Sequence, residues 1–143
     1  MFEFRYTTTS GVVALAKDFP LNAAYAGTWK RGDVVKLSAG QVVAAVAGDA
    51  AVLGVICGVN FEGQGVAPVT AKVHVAKEFV YEVAYVGVTK TTLTQADVGS
   101  TFDLGANAGV INLDDVTGGF AKVIGFDNAK KTAYVQLTNL IYA

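Results

Sequence analysis

The chain has 143 residues, of which 52% are hydrophobic and only 16% are charged, and its formal net charge at pH 7 is −1. Ordinary soluble domains carry roughly 25% charged residues, so we expect part of this surface to be covered by copies of the chain or by a larger partner. Nucleic acid is excluded as a partner, because phosphate binding depends on clustered positive charge that this sequence lacks. The single cysteine, Cys57, cannot form an internal disulfide and is interpreted as a small buried thiol.

The first ten residues alternate in character, with Phe2, Phe4 and Tyr6 on one side of an extended chain and mostly charged or polar residues on the other. This period of two predicts a half-buried strand. Two placements of the strand stay open. It is either an edge strand of the domain's own sheet, or an arm that adds itself to the sheet of another subunit.

The stretch from residue 11 to residue 28 has no clear periodicity and contains Pro20 together with several Ala and Asn residues. Connections of this length in compact domains are usually functional or mobile, and we predict a long surface connection here. The chain is accordingly divided into an N-terminal arm with its connecting loop, residues 1–28, and a single β domain, residues 29–143.

The run from Trp29 to Val59 is rich in valine and is interrupted by Gly and Asp, which is typical of short strands joined by tight turns. The segment from Val42 to Phe61 has the length of a membrane-spanning helix and one charge, Asp49. A central Asp costs about 2.5–3.5 kcal/mol on insertion, and the glycines favour strands, so a membrane span is rejected. The strands predicted in this run are Val34–Leu37, Val42–Val46 and Val52–Val59.

The remainder of the chain continues the same pattern, and no repeat of fixed period is visible. His74 falls among the polar residues of an alternating run, which predicts an exposed strand residue and not a metal ligand or a general base. One short helical turn is predicted at Thr94, with Asp97 near its positive end and Gly99 closing it in the left-handed conformation. The later strands are predicted within Val69–Val88 and at Phe102–Leu104, Val110–Leu113, Phe120–Phe126 and Thr132–Leu140.

Two short motifs suggest chemistry and are better explained by turns. The adjacent acids Asp114 and Asp115 would point apart on an extended chain, and the calcium-loop pattern is absent. The tripeptide Arg31-Gly32-Asp33 matches an integrin-ligand motif, but a turn before a strand accounts for it. No catalytic set, metal site or cofactor is expected. The sequence therefore predicts a non-enzymatic, all-β protein: a compact β-barrel or β-sandwich with one short helical turn and an extended N-terminal arm.

Several segments resemble the head decoration proteins, or capsid cement proteins, of tailed bacteriophages. The entry Thr28–Leu37 (TWKRGDVVKL), followed by Val52–Val55 (VLGV), is similar to the first half of that pattern. Leu93–Gly99 (LTQADVG), Val123–Asp127 (VIGFD) and Tyr134–Leu137 (YVQL) are similar to its later part. The resemblance does not extend to residues 1–28.

The resemblance implies a structural protein that is made in the host cytoplasm and docks as a homotrimer on the outside of an assembled virion. Its partner would be the major capsid protein, and it would stabilise the capsid without a cofactor, nucleic acid or membrane. An aromatic N-terminal strand suits strand addition, and the turn at residue 30 is a candidate exposed contact. The candidate capsid-binding residues are Phe2, Phe4, Tyr6, Trp29, Lys30 and Arg31.

The alternative interpretation is a β-module of a virion or cell surface whose loops bind a carbohydrate or a receptor. In that case exposed aromatic residues such as Tyr25 and Trp29 would carry the binding.

Overall fold

The computed structural model describes residues 1–7, 16–61 and 67–141. Within these ranges the chain forms eleven strands and two 3-10 turns, the turns lying at Tyr25–Gly27 and Gln95–Asp97. The strands are β1 (Glu3–Thr7), β2 (Ala16–Pro20), β3 (Val34–Ser38), β4 (Gln41–Ala44), β5 (Gly54–Phe61), β6 (Pro68–His74), β7 (Phe79–Val86), β8 (Thr101–Leu104), β9 (Val110–Asn112), β10 (Ala121–Asp127) and β11 (Thr132–Leu137).

Six strands form one sheet in the order β1-β7-β11-β10-β8-β9. Five of these strands close into a barrel, because the C-terminal half of β7 pairs in parallel with β9. In this pairing Ala84 lies opposite Val110 and Val86 opposite Asn112. The strand β1 lies outside the barrel, antiparallel to the N-terminal half of β7. The all-β fold predicted from the sequence is confirmed, and it takes the barrel form.

The other five strands form a second sheet in the order β2-β6-β5-β3-β4. Its two end strands approach each other after β2, where Leu21 makes a parallel bridge with Val42. The N–H of Asn22 also donates to the Val42 carbonyl at 3.1 Å. The second sheet therefore curls round until its ends touch.

The two sheets are two copies of one topology. Within each unit the strands lie in the order first, fifth, fourth, second, third, and the third runs parallel to the first where they meet. Each unit also places its 3-10 turn between its first and second strands. From the turn before the second strand to the bulge of the fourth, equivalent residues keep the separation of Gly32 and Gly99 along the chain. Few of these positions carry the same residue type in both units, and for this reason no repeat is visible in the sequence.

The duplication extends to individual residues. The second and fourth strands have the same register in both units, with Val35 opposite Gly54 and Phe102 opposite Ala121. The fourth strand has a β-bulge at the same position, between Ile56 and Gly58 and between Val123 and Gly125. In each unit a glycine with positive φ also donates a hydrogen bond of 2.8 Å to the fourth strand, from Gly32 to Ile56 and from Gly99 to Val123.

Residues 16–28 belong to the first unit and are not the surface connection that the sequence predicts. The strand β2 pairs along β6, and Leu21 and Tyr25 after it are buried. Most side chains of β2 are exposed, so backbone pairing holds the strand and no apolar alternation marks it in the sequence. The predicted division between residues 28 and 29 consequently does not follow the sheets. Residues 11–15 of the predicted connection lie outside the described residues.

The strand β1 pairs with β7 of its own chain. Of the two placements considered above, it is therefore the edge strand of the domain's own sheet. The Phe2 side chain, 2% exposed, packs in the core with its ring centroid 6.3 Å from that of Tyr81. On the outer side Arg5 forms an ion pair of 2.7 Å with Glu82 on β7. The N-terminal strand is thus fastened to the second unit by both its faces.

The two units share a core. The larger apolar cluster fills the barrel and also takes in Val34, Val52 and Val55 of the first unit. At the same junction the buried Asp103 carboxylate, 1% exposed, accepts a hydrogen bond of 2.7 Å from the N–H of Gly48. These contacts hold the two units together.

The helical turn predicted at Thr94 is confirmed. The N–H of Thr94 donates to the Asp97 carboxylate at 2.7 Å, and Gly99 has φ +93°. The turn at Tyr25–Gly27 was not predicted. It begins where the Asn22 side chain accepts hydrogen bonds from the next backbone N–H groups, an Asx turn of a kind that the sequence allows at many asparagines.

Candidate functional site

The predicted aromatic row of β1 is divided between the inside and the outside of the protein. Phe2 is buried and Phe4 is half-buried, whereas Tyr6 is 50% exposed. The register between β1 and β7 shifts between Phe4 and Tyr6, which makes Arg5 a bulged residue. A bulge adds one residue to a strand and so reverses the alternation of the residues that follow. Tyr6 therefore faces away from the core that holds the two phenylalanines.

The predicted turn at Trp29, Lys30 and Arg31 carries its two cations on the surface, while the Trp29 ring is half-buried against the core of the first unit. The Asp33 carboxylate accepts hydrogen bonds from the Tyr25 hydroxyl at 2.9 Å and from the Lys30 N–H at 3.2 Å. The aspartate of the Arg-Gly-Asp sequence is thus engaged inside the turn, in agreement with its interpretation as turn chemistry.

A pocket of about 320 Å³ lies where β1, this turn and the strands β5 and β6 meet, and we call it the junction pocket. It brings together three of the six predicted residues, Phe2, Phe4 and Arg31. Tyr6, Trp29 and Lys30 do not line it. Its other walls include Val55, Cys57 and His74.

The junction pocket contains one cationic side chain without a partner in the described part of the chain. The Arg31 guanidinium has no ion pair or hydrogen bond with the residues that the structure describes, whereas Glu3 at the rim is paired with Arg5 at 3.1 Å. Burial, and secondly the charge of Arg31, lower the pKa of His74, so the imidazole is neutral at pH 7. Burial raises the pKa of the Cys57 thiol, which donates to the Lys72 carbonyl at 3.3 Å. The cysteine is consequently a neutral wall of the pocket.

His74 is not the exposed strand residue that its place in the sequence predicts. Its ring is half-buried, with centroids 5.3 Å from Phe79 and 5.6 Å from Phe4. The prediction assumed that one face of β6 is in water, but β1 brings Phe4 across that face. The pairing of β1 with β7, which the sequence left open, brings the Phe4 ring to His74.

A second, shallower depression of about 500 Å³ lies on the outer face of β1, β7 and β11, and we call it the tyrosine groove. Its lining residues are Arg5, Tyr6, Glu82, Lys130 and Tyr134. Arg5 donates to Glu82 through Nε at 2.9 Å, which fixes both side chains. Apart from Tyr6, none of these residues was predicted as a site residue, because the groove depends on the order of three strands that are distant along the chain.

The adjacent acids have separate structural roles. Asp114 accepts hydrogen bonds from the backbone N–H groups of Val88, Thr89 and Lys90, and these bonds lower the pKa of its carboxyl group. Asp115 accepts one from the N–H of Thr117. Among the described residues no group of three or more His, Cys, Asp or Glu side chains is placed to hold a metal ion.

Comparisons with protein-family models, with curated proteins and with solved structures found no match to this chain. Over the described ranges, none of the helical segments has the length and apolar character needed to cross a membrane.

Proposed function

We propose that this protein is a structural virion protein that binds the outer surface of an assembled bacteriophage capsid and stabilises it, acting as a homotrimer. The observation that carries the proposal is the outer edge of β1. This strand is the end of its sheet, and no other described strand pairs with that edge. The resemblance of Thr28–Leu37 and the later segments to capsid cement proteins, and the low content of charged residues, agree with it.

The edge of β1 favours pairing with a specific partner strand over nonspecific aggregation. An unpaired edge offers a row of N–H and C=O groups to any extended chain, and natural proteins limit this with charges. Here Glu3 and Arg5 alternate with Phe4 along the strand, and Tyr6 stands half-exposed after them. A partner strand gains main-chain hydrogen bonds from the edge and specificity from the alternate side chains.

Stabilisation of the capsid would then follow from linkage. A protein that binds the assembled lattice and not the free capsid subunits shifts the equilibrium towards the lattice by mass action. Three attachment points on one trimer raise the effective concentration of each remaining attachment once the first has formed. No bond has to be made or broken, so the mechanism needs no catalytic residue.

The proposal is tested by cosedimentation of the protein with expanded, undecorated capsids of the phage that encodes it. We expect saturable binding of the wild type and at least tenfold weaker binding of Tyr6→Lys, because a charge at an exposed edge position opposes strand addition. Val88→Lys is the matched control, since Val88 is 92% exposed and follows the C-terminal end of β7, whereas β1 pairs with the N-terminal half of that strand. Thermal unfolding should be unchanged in both variants.

Two outcomes would contradict the proposal. Failure of the wild type to bind expanded capsids would refute the capsid function, and equal binding of the two lysine variants would refute the role of the β1 edge. The trimer is tested separately by size-exclusion chromatography with light scattering, where a strict monomer at all concentrations would exclude it.

The tyrosine groove favours a second candidate, a module that binds carbohydrate. It presents Tyr6 and Tyr134 beside the fixed Arg5–Glu82 pair, an arrangement of apolar ring faces and planar hydrogen-bonding groups that suits a sugar ring with its hydroxyl groups. The buried Tyr25, bonded to Asp33, is not an exposed loop residue of the kind first considered for this role. A glycan array without a hit would exclude this candidate.

A further inference from the structure

We infer that the junction pocket is a binding site for an organic carboxylate, in which an apolar or aromatic body lies against Phe2 and Phe4 and the carboxylate group meets Arg31. The inference does not depend on the capsid proposal. It rests on the size and walls of the pocket, on Arg31, which has no partner within the described ranges, and on the strand pairing that holds these walls in place.

The size and walls fit a small organic molecule. Ligand pockets in proteins begin at about 300 Å³ and are lined mainly by apolar groups with a few placed polar ones. The junction pocket has about 320 Å³, and its apolar walls come from β1 through Phe2 and Phe4 and from β5 through Val55 and Ile56. The strand β5 belongs to a nearly closed sheet, and β1 is held by its pairing with β7 and by the Arg5–Glu82 ion pair, so the pocket exists before a ligand arrives.

The charge selects an anion. Arg31 is the cationic side chain of the pocket and has no acidic partner among the described residues. The Met1 ammonium, which also lines the pocket, donates to the Gly109 carbonyl at 2.6 Å. Glu3 at the rim shares Arg5 with Glu82. A guanidinium presents a planar fork of N–H donors that matches a carboxylate or a phosphate in two parallel hydrogen bonds. The aromatic and aliphatic walls beside this fork favour a carboxylate with an organic body over inorganic phosphate, whose whole surface is polar.

The pocket contains its own reporter. His74 is the only histidine of the chain, lines the pocket, and is close enough to Arg31 for that charge to affect its titration. An anion that neutralises Arg31 removes this effect, so the imidazole signals of His74 should move and its pKa should rise. The rings of Phe4, Phe79 and Tyr81 pack against the imidazole and do not change charge in this range. The other ionisable groups that line the pocket are Glu3, Cys57 and the Met1 ammonium.

The experiment follows the His74 imidazole signals by NMR at constant pH while a ligand is added to the full chain. The probes are 3-phenylpropanoate and its neutral counterpart 3-phenylpropan-1-ol, then N-acetyl-Gly-Gly-Phe with a free or an amidated carboxyl group, and finally inorganic phosphate. We expect saturable shifts with the free carboxylates and none with the alcohol or the amide. Arg31→Gln should weaken binding at least tenfold, whereas Lys30→Gln, the neighbouring exposed cation outside the pocket, should leave it unchanged.

The two carboxylate sources are told apart by the same titrations. Saturation by phenylpropanoate alone identifies a free small molecule, saturation by the peptide alone identifies the chain terminus of a partner, and either result supports the site. The inference is overturned if no carboxylate saturates the shift, if the alcohol binds as well as the acid, if only inorganic phosphate binds, or if Arg31→Gln binds like the wild type. Arg31 is exposed, so its replacement removes no core contact, and circular dichroism checks the fold.

Discussion

The hydroxyl group of Tyr81 gives the sharpest test of the core. Tyr81 is 1% exposed, and its hydroxyl has no hydrogen-bond partner among the described residues. Burial raises the pKa of this tyrosine, so the group stays protonated and is a donor without an acceptor. Replacement by phenylalanine removes the hydroxyl and leaves the ring, with its edge-on contacts to Phe2 and Phe79, in place.

The expected effect is a gain in stability. Burying a hydroxyl without a hydrogen bond costs about 1–3 kcal/mol in proteins, and Tyr81→Phe removes this cost. The small space left by the missing oxygen atom offsets part of the gain. We therefore expect Tyr81→Phe to raise the free energy of unfolding by about 1–2 kcal/mol. In a chain of this length each kcal/mol corresponds to a rise of about 2–4 °C in Tm.

Two other buried tyrosines are matched controls, because their hydroxyl groups do have partners. The Tyr25 hydroxyl donates to the Asp33 carboxylate at 2.9 Å, and that of Tyr85 donates to the Asn128 side chain at 2.6 Å. Tyr25→Phe should lose about 1.5–3 kcal/mol, since its acceptor is charged, and Tyr85→Phe about 0.5–1.5 kcal/mol. The assay is urea unfolding followed by circular dichroism. If Tyr81→Phe loses as much stability as Tyr25→Phe, the hydroxyl of Tyr81 has a partner and the reasoning is wrong.

Further predictions concern the duplicated glycines and the histidine. Gly32→Ala should destabilise the protein more than Gly99→Ala. Both positions have positive φ, which costs an L residue about 1–2 kcal/mol, but only at Gly32 would the new methyl group also collide with Met1. Equal losses of Tm would contradict this prediction. Because the pKa of His74 is lowered in the folded protein, the unfolded chain binds a proton at this histidine more readily. The neutral His74 therefore contributes its full stability above the unfolded pKa of about 6.5, and this stability is lost as the pH falls through the folded pKa. Urea unfolding at pH 7.5 and 5.5 should accordingly show a larger acid loss for the wild type than for His74→Phe, and an identical loss would refute the environment assigned to His74.

Much of the secondary structure could be predicted because its causes are local. Apolar runs between Gly and Asp turns marked β3, β10 and β11 closely, and the Thr94 turn was recognised from the capping chemistry of Asp97. These features depend on residues a few positions apart. Only β2 was missed, because backbone pairing with β6 holds it and its side chains are largely exposed.

The candidate sites could not be predicted, because they depend on how distant strands are ordered. Arg31 and His74 both belong to the first unit, and β1, the edge strand of the other sheet, completes the junction pocket beside them with Phe4. Tyr6 reaches the tyrosine groove because a single bulged residue, Arg5, turns it away from the side of Phe4. A period of two in the sequence contains no sign of that bulge, so the predicted aromatic row was correct in composition and wrong in direction.

The crossing of β1 to the second unit also sets an order of events during synthesis. Arg5 precedes its partner Glu82 by 77 residues along the chain. At a translation rate of about 5–20 residues per second, β1 waits about 4–15 s for β7 to be made. Throughout that interval the ring of Tyr81, which both Phe2 and Phe4 contact, is missing, and β7 of a neighbouring copy is an equivalent partner. Exchange of β1 between copies therefore competes with closure within one chain, and the local density of nascent chains decides how often each occurs.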